Sequence, residues 1–89
     1  MAREIKFNGR ELAIMRAIGF GLGVSGTELQ ERMNLPDDEL VDVLNTLLDM
    51  GFIETTTMKE RVAITDYTNE NFEINPSYAS DVREVMKRR

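Results

Sequence analysis

The stretch from Ser25 to Glu54 constrains the fold of this 89-residue chain more than any other part. It reads as a short helix, a turn at residues 34–35, a longer helix, and then a glycine, Gly51, before a β-branched run. At Gly51 the spacing of the apolar residues changes from three or four to two, which indicates a change from helix to strand. The rest of the chain is therefore expected to pack around two adjacent helices and the strand that follows them.

Both helices of this stretch carry start and stop signals. Ser25 with Glu28 three residues later has the spacing of a capping box, which predicts a helix through about Met33. Pro36 suits the first position of the longer helix, and the acids directly after it complement the positive end of the helix dipole. Gly51 follows the last helical residue and is predicted to end the helix as a left-handed cap.

The longer helix is apolar over more than one face. Its core stripe has the spacing i, i+4, i+7 and consists of Leu40, Leu44 and Leu47. Further apolar residues lie off that stripe at Val41, Val43 and Leu48. A surface of this width indicates either a deeply buried helix or a contact with another chain, and both interpretations stay open.

Helices are also predicted towards both ends of the chain. Asn8 with Glu11 is a second capping-box pattern, and a first helix is expected from there to about Gly19. Asn75 and Pro76 have the order of a capping residue and a first helical residue, which predicts a last helix from that point.

A β-hairpin is predicted after the longer helix, with strands at residues 52–57 and 61–65. Residues 71–74 could form a third short strand. The glycine-rich segment at residues 19–26 alternates Phe20, Leu22 and Val24 with glycines, which is compatible with a very short strand that pairs onto the hairpin. Each segment is too short to settle the register of the pairing.

The same glycine-rich segment contains the pattern G-x-G-x-x-G, at Gly21, Gly23 and Gly26. In a dinucleotide site this pattern follows a strand, whereas here it follows a predicted helix. The glycines are therefore interpreted as a helix stop and a turn, and no cofactor is expected.

The order of helix, short helix, turn, long helix and hairpin resembles the winged helix-turn-helix family over roughly residues 8–65. The most specific part is the stripe Leu40, Leu44 and Leu47 followed by Gly51-Phe52-Ile53-Glu54, which is similar to the family's junction between helix and wing. The resemblance implies an α+β, mainly α fold, with a three-helix core, a β-hairpin wing and a C-terminal helix of the kind that many such domains use for dimerisation. One domain is expected over residues 1–89: an arm at 1–7, the helical core and first wing strand at 8–57, the wing and a connection at 58–75, and the last helix at 76–89.

The charge of the chain is unevenly distributed around a net value of −5. From Met33 to Met58 there are six acids and no Lys or Arg, while the remainder is close to neutral. In DNA-reading members of the family the solvent face of the longer helix enters the major groove. An acidic face repels phosphate and attracts basic partners, although acids in a first helical turn also serve simply as dipole complements.

Composition excludes most catalytic chemistry. The chain has no cysteine and no histidine, so it lacks disulfides, thiolate ligands, the commonest general base and the commonest metal ligand. We expect a protein that is not an enzyme, with no cofactor, no metal and no small-molecule substrate. The residues after Met1 lack the pattern of a secretory signal and no apolar run is long enough for a membrane span, which predicts a cytoplasmic protein without a membrane partner.

Two functional hypotheses follow. In the first, the chain is a small regulatory module that binds a protein partner, or itself as a homodimer, or a basic neighbour in a larger assembly, through the longer helix. The residues assigned to this contact are Asp38, Val41, Asp42, Asn45 and Leu48. In the alternative, the chain is a DNA-binding transcriptional regulator that uses the bases of the wing and the C-terminus. Those bases are Lys59, Arg61, Lys87, Arg88 and Arg89.

Overall fold

The computed structural model describes residues 5–87, which fold as an α+β, mainly α domain with a winged-helix-like layout. The described α-helices are α1 (Gly9–Ile18), α2 (Gly26–Met33), α3 (Asp37–Met50) and α4 (Ala79–Lys87). The described strands are β1 (Val24–Ser25), β2 (Ile53–Thr55) and β3 (Asn71–Ile74), and short 3-10 helices cover Tyr67–Asn69 and Pro76–Tyr78. The predicted fold class is thus confirmed.

The strands form one antiparallel sheet in the order β1-β3-β2. Val24 lies opposite Phe72 in the first pair, and Ile53 lies opposite Ile74 in the second. Side chains alternate between the two faces of a strand, so these four apolar residues share the buried inner face. The short strand that the glycine-rich segment suggested is therefore present as β1.

The predicted hairpin is wrong in its second strand. Residues 61–65 are not a strand, and β2 pairs instead with β3, whose residues 71–74 were predicted only as an optional third strand. The reason is that Val62 and Tyr67 are buried in the core rather than on a sheet, so this segment serves packing and not strand pairing. The connection from β2 to β3, residues 56–70, is called the wing loop below.

The predicted helix ends are confirmed with two local differences. Asn8 and Glu11 form the complete capping box of α1, whereas Ser25 only accepts the Glu28 N–H, because the Glu28 carboxylate contacts Arg32 instead. Pro36 lies at the capping position of α3, one residue before the position predicted for it.

The end of α3 and the start of the last helix follow the prediction closely. Gly51 closes α3 in the left-handed conformation, with φ of 82°. Asn75 caps the last helical segment by accepting the Ser77 N–H, and that segment begins as the 3-10 helix from Pro76 before it continues into α4.

The core lies between the helices and the inner face of the sheet, with α3 at its centre. Leu40, Leu44 and Leu47 are fully buried, as the stripe predicted. The off-stripe Val41 is buried too, so that part of the broad apolar surface of α3 belongs to the fold itself. At one end, Phe52 stacks edge to face with Phe7 and with Tyr78, which joins the chain before α1 to the last helical segment.

Two glycines of the G-x-G-x-x-G pattern are needed for close packing. Gly23 has φ of 93°, and a Cβ there would lie 2.5 Å from the carbonyl oxygen of Phe72. A Cβ on Gly26 would overlap the backbone of Tyr67. These glycines let β1 and the start of α2 approach β3 and the wing loop, which gives the pattern a packing role.

Candidate interaction surface of helix α3

Three exposed aspartates form a row along the solvent side of α3. Asp38, Asp42 and Asp49 lie four and seven residues apart, and an α-helix of 3.6 residues per turn brings residues at this spacing onto one face. All three side chains are exposed, and α3 contains no Lys or Arg. We call these three residues the acidic face.

Two further acids of α3 are engaged by neighbouring elements. Glu39 forms a salt bridge with Arg10 of α1 at 3.0 Å. Asp37 accepts hydrogen bonds from the Tyr67 hydroxyl at 2.6 Å and from the Gln30 side-chain amide at 2.9 Å. Both bonds lower the pKa of Asp37 below its ordinary value, and the bond from Tyr67 has the larger effect. These contacts hold α1, α2 and the wing loop against the start of α3.

The structure divides the five residues predicted for partner binding. Asp38 and Asp42 are exposed on the acidic face, and Leu48 is half-buried against the core. Val41 and Asn45 are only 7% and 6% exposed, so assigning them to a contact surface is wrong for the folded chain. Val41 belongs to the core cluster, and Asn45 is hydrogen-bonded to Val62 of the wing loop, which the sequence pattern could not show.

Asn45 is the residue that attaches the wing loop to α3. Its side-chain amide donates to the Val62 carbonyl oxygen at 3.0 Å and accepts the Val62 N–H at 2.8 Å. An asparagine side chain thus pairs with both backbone groups of one residue, as a neighbouring strand would. Because the Val62 side chain is also buried, the loop is held to the helix by packing and hydrogen bonds together.

Asp49 belongs to the acidic face although it was not among the predicted binding residues. Its carboxylate contacts Arg61 of the wing loop at 3.2 Å, in a pair whose two side chains are largely exposed. Exposed pairs of this kind contribute little to stability, and their charges remain accessible to solvent. The sequence did indicate the position of Asp49, because residues seven apart in a helix, such as Asp42 and Asp49, lie on the same face.

Two of the bases proposed for DNA contact, Lys59 and Arg61, are paired with carboxylates. Lys59 lies 3.0 Å from Glu70 and 3.6 Å from Asp66, and its pKa is raised, first by the hydrogen bond to Glu70. Arg61 is paired with Asp49, and Lys87 is exposed at the end of α4. Arg88 and Arg89 lie outside the described residues.

Glu70 is the buried member of the group that Lys59 forms with Asp66 and Glu70. The Glu70 carboxylate accepts hydrogen bonds from Thr57 and from Lys59. Both bonds lower the pKa of Glu70, and the bond from Thr57 has the larger effect. The Lys59 ammonium is therefore part of the structure of the wing loop. A phosphate would have to compete with Glu70 and Asp66 for it, which reduces what this lysine could add to DNA affinity.

Within residues 5–87 there is no cluster of three or more acidic side chains arranged to hold a metal ion. None of the helices in this range is both long and apolar enough to cross a bilayer. Comparison with models of protein families, with curated proteins and with solved structures gave no significant match. The geometry and charge of the surface are therefore the observations that bear on function.

Proposed function

We propose that this chain is a small non-enzymatic interaction module that binds a basic protein surface through the acidic face of α3. The observation that carries the proposal is the row of Asp38, Asp42 and Asp49, exposed on a helix without a single base. As in the family that the sequence resembles, we propose a regulatory role, in the cytoplasm.

The acidic face offers Asp38 and Asp42 on one side of the buried Asn45, and Asp49 on the other, to a basic helix or an extended basic segment. Asp38 and Asp49 are eleven residues apart on one helix, which corresponds to about 16 Å along its axis. A partner helix with Lys or Arg at every third or fourth position presents cations over a similar length on one side. Complementary charge of this kind raises the association rate and selects against acidic competitors.

The same charge argues against two other ligands at this face. A phosphate backbone would meet three carboxylates and lose the counterion release on which DNA affinity depends. A second copy of the chain would place like charges opposite each other, so contact between two acidic faces is unfavourable. A basic protein partner is the ligand that the charge of this surface favours.

Charge reversal tests the proposal. The variant Asp38→Lys with Asp42→Lys is expected to weaken binding of a fluorescent, lysine-rich helical peptide about tenfold or more, measured by anisotropy. A matched control, Glu31→Lys with Glu84→Lys, changes the net charge equally at exposed positions outside the acidic face and should weaken binding much less.

Two results would overturn the proposal. One is an equal loss of affinity in both double variants, which would show that only net charge matters. The other is tighter binding of random-sequence duplex DNA than of the peptide, with an affinity that falls steeply with salt, which is the signature of phosphate contacts.

A further inference from the structure

Leu22 is a large apolar side chain that the fold holds almost completely in solvent. It is 95% exposed, more than any other large hydrophobic residue among residues 5–87. Its backbone is nevertheless anchored, because its carbonyl oxygen accepts a bond from the Asn71 side chain at 3.3 Å. Gly23, directly after it, is packed tightly against β3. The side chain is therefore presented outward from a fixed position.

A pocket of about 180 Å³ is lined in part by the two residues that precede Leu22 in the chain. It is lined by Phe20, Gly21, Glu73, Ile74, Pro76, Ala79 and Arg83. Phe20 and Gly21 are the two residues that precede Leu22, so the exposed side chain and the pocket belong to one surface. An apolar cavity of about 150 Å³ holds a benzene molecule, so this pocket has room for a leucine side chain.

The rim of the pocket carries two opposite charges that have no ion-pair partner within the described chain. Arg83 lies over the Phe20 ring, with its guanidinium carbon 4.5 Å from the ring centroid, and forms no salt bridge with another residue among 5–87. Glu73 lies directly across the strand pair from Glu54 on the outer face of the sheet. Two carboxylates in this position repel each other, so a cation delivered from outside would relieve the repulsion.

We propose that a second copy of this chain docks here, with Leu22 of each copy in the pocket of the other and Glu73 of each copy facing Arg83 of the other. A surface that carries a protruding side chain next to a matching pocket is self-complementary, and a two-fold axis satisfies both contacts at once. The opposite charges on the rim are complementary under the same operation.

This contact is independent of the acidic face of α3. It uses the segment before β1, the outer face of β3 and the first part of α4, none of which contributes to the row of aspartates. The Asp38→Lys and Asp42→Lys double variant should therefore dimerise like the unmodified chain, so failure of either proposal can be recognised separately.

Sedimentation analysis over a wide range of protein concentration tests the dimer. The unmodified chain is expected to dimerise, and Leu22→Asp should raise the dissociation constant about tenfold or more by placing a charge in the pocket. Ile64→Asp is the matched control, since Ile64 is also exposed but lies in the wing loop, and it should leave the dissociation constant unchanged.

A charge exchange makes the test specific for the proposed pairing. Glu73→Arg alone and Arg83→Glu alone should each weaken the dimer, and the double variant should recover most of the affinity, because the pair is restored with reversed polarity. A strictly monomeric unmodified chain at the highest concentration would overturn the proposal. So would a Leu22→Asp variant that dimerises as well as the unmodified chain.

Discussion

At the scale of single residues, Asn45 and Tyr67 determine where the wing loop lies. Asn45 pairs with both backbone groups of Val62, and the buried Tyr67 reaches the carboxylate of Asp37 with its hydroxyl. Both contacts join α3 to a loop that sequence patterns place in a sheet. Each can be removed by a single substitution, which separates its contribution from that of the surrounding apolar packing.

Asn45→Ala is predicted to lower the free energy of unfolding by about 2 to 4 kcal/mol. The substitution removes two hydrogen bonds and leaves the N–H and C=O of Val62 without partners in a buried place, at a cost of about 1 to 3 kcal/mol for each group. Urea denaturation measures the change. Asn69→Ala, at an exposed position, is the control and should change stability by less than about 0.5 kcal/mol. A loss of similar size in both variants would contradict the role given to Asn45.

The contact between Tyr67 and Asp37 predicts a dependence of stability on pH. Because the pKa of Asp37 is lowered in the folded chain, its contribution is present above the ordinary value of 3.8 and is lost as the pH falls through the folded value. The stability difference between the unmodified chain and Tyr67→Phe should therefore be larger at neutral pH than below pH 3.8, measured by urea denaturation. A difference that stays constant, or that grows on acidification, would contradict this contact.

At high pH, the change of stability with pH comes from Tyr67 itself. Burial, followed by the bond to Asp37, raises the pKa of Tyr67 from 10.0 to about 12, so the neutral phenol is favoured in the folded chain. Its contribution is complete below pH 10.0 and is lost as the pH rises towards 12.

At the scale of secondary-structure elements, the wing loop is the part whose position depends most on close backbone contact. The 3-10 helix Tyr67–Asn69 lies against the start of α2. The backbone of Tyr67 is so close to Gly26 that there is no space for a side chain at position 26. The Gly26 N–H also donates to the Glu70 carbonyl oxygen at 2.9 Å. The loop and α2 therefore form one packed unit.

Gly26→Ala is predicted to destabilise the fold by about 1 to 3 kcal/mol or more, because the new methyl group would overlap the Tyr67 backbone and force α2 and the loop apart. Gly9→Ala is a matched control at the start of α1, where a Cβ would meet nothing within 4 Å. Alanine is the better helix former, so the control should be neutral or slightly stabilising. Thermal unfolding of both variants measures the difference, and equal stability of the two would contradict the packing described here.

Local signals in the sequence predict the helices well and the sheet only in part. Caps such as Asn8, Gly51 and Asn75 act through groups within a few residues of themselves, so their spacing in the sequence is sufficient. The strand partner of β2 lies beyond the fifteen residues of the wing loop, and its choice depends on burying Val62 and Tyr67. That burial is a tertiary effect, and two-residue alternation at 61–65 cannot distinguish it from a strand.

In the candidate site, too, local features are predictable from the sequence and tertiary effects are not. The exposure of Asp38 and Asp42 is predictable, because charged residues opposite an apolar stripe face solvent. The burial of Asn45 is not predictable, because it depends on where the wing loop folds back. An asparagine on a helix gives no local indication that its amide will pair with a backbone seventeen residues away.

At the scale of the whole molecule, charge and apolar surface are separated. The acidic face lies on α3, whereas the exposed Leu22, its neighbouring pocket and the rim charges of Glu73 and Arg83 lie around the start of β1, the outer face of β3 and the first turns of α4. The wing bases Lys59 and Arg61 lie within salt-bridge distance of the chain's own carboxylates, Lys59 near Glu70 and Arg61 near Asp49. We propose accordingly that the molecule binds proteins at two separate surfaces, one through charge and one through an exposed leucine and the neighbouring pocket.

Binding of a basic partner to α3 is tested most directly by following the backbone amide resonances of the chain while a lysine-rich helical peptide is added. We expect the largest shifts to cluster along α3 around Asp38, Asp42 and Asp49, and to weaken as salt is added. Shifts confined to the wing loop and the end of α4, or shifts of α3 produced by duplex DNA and not by the peptide, would contradict this expectation.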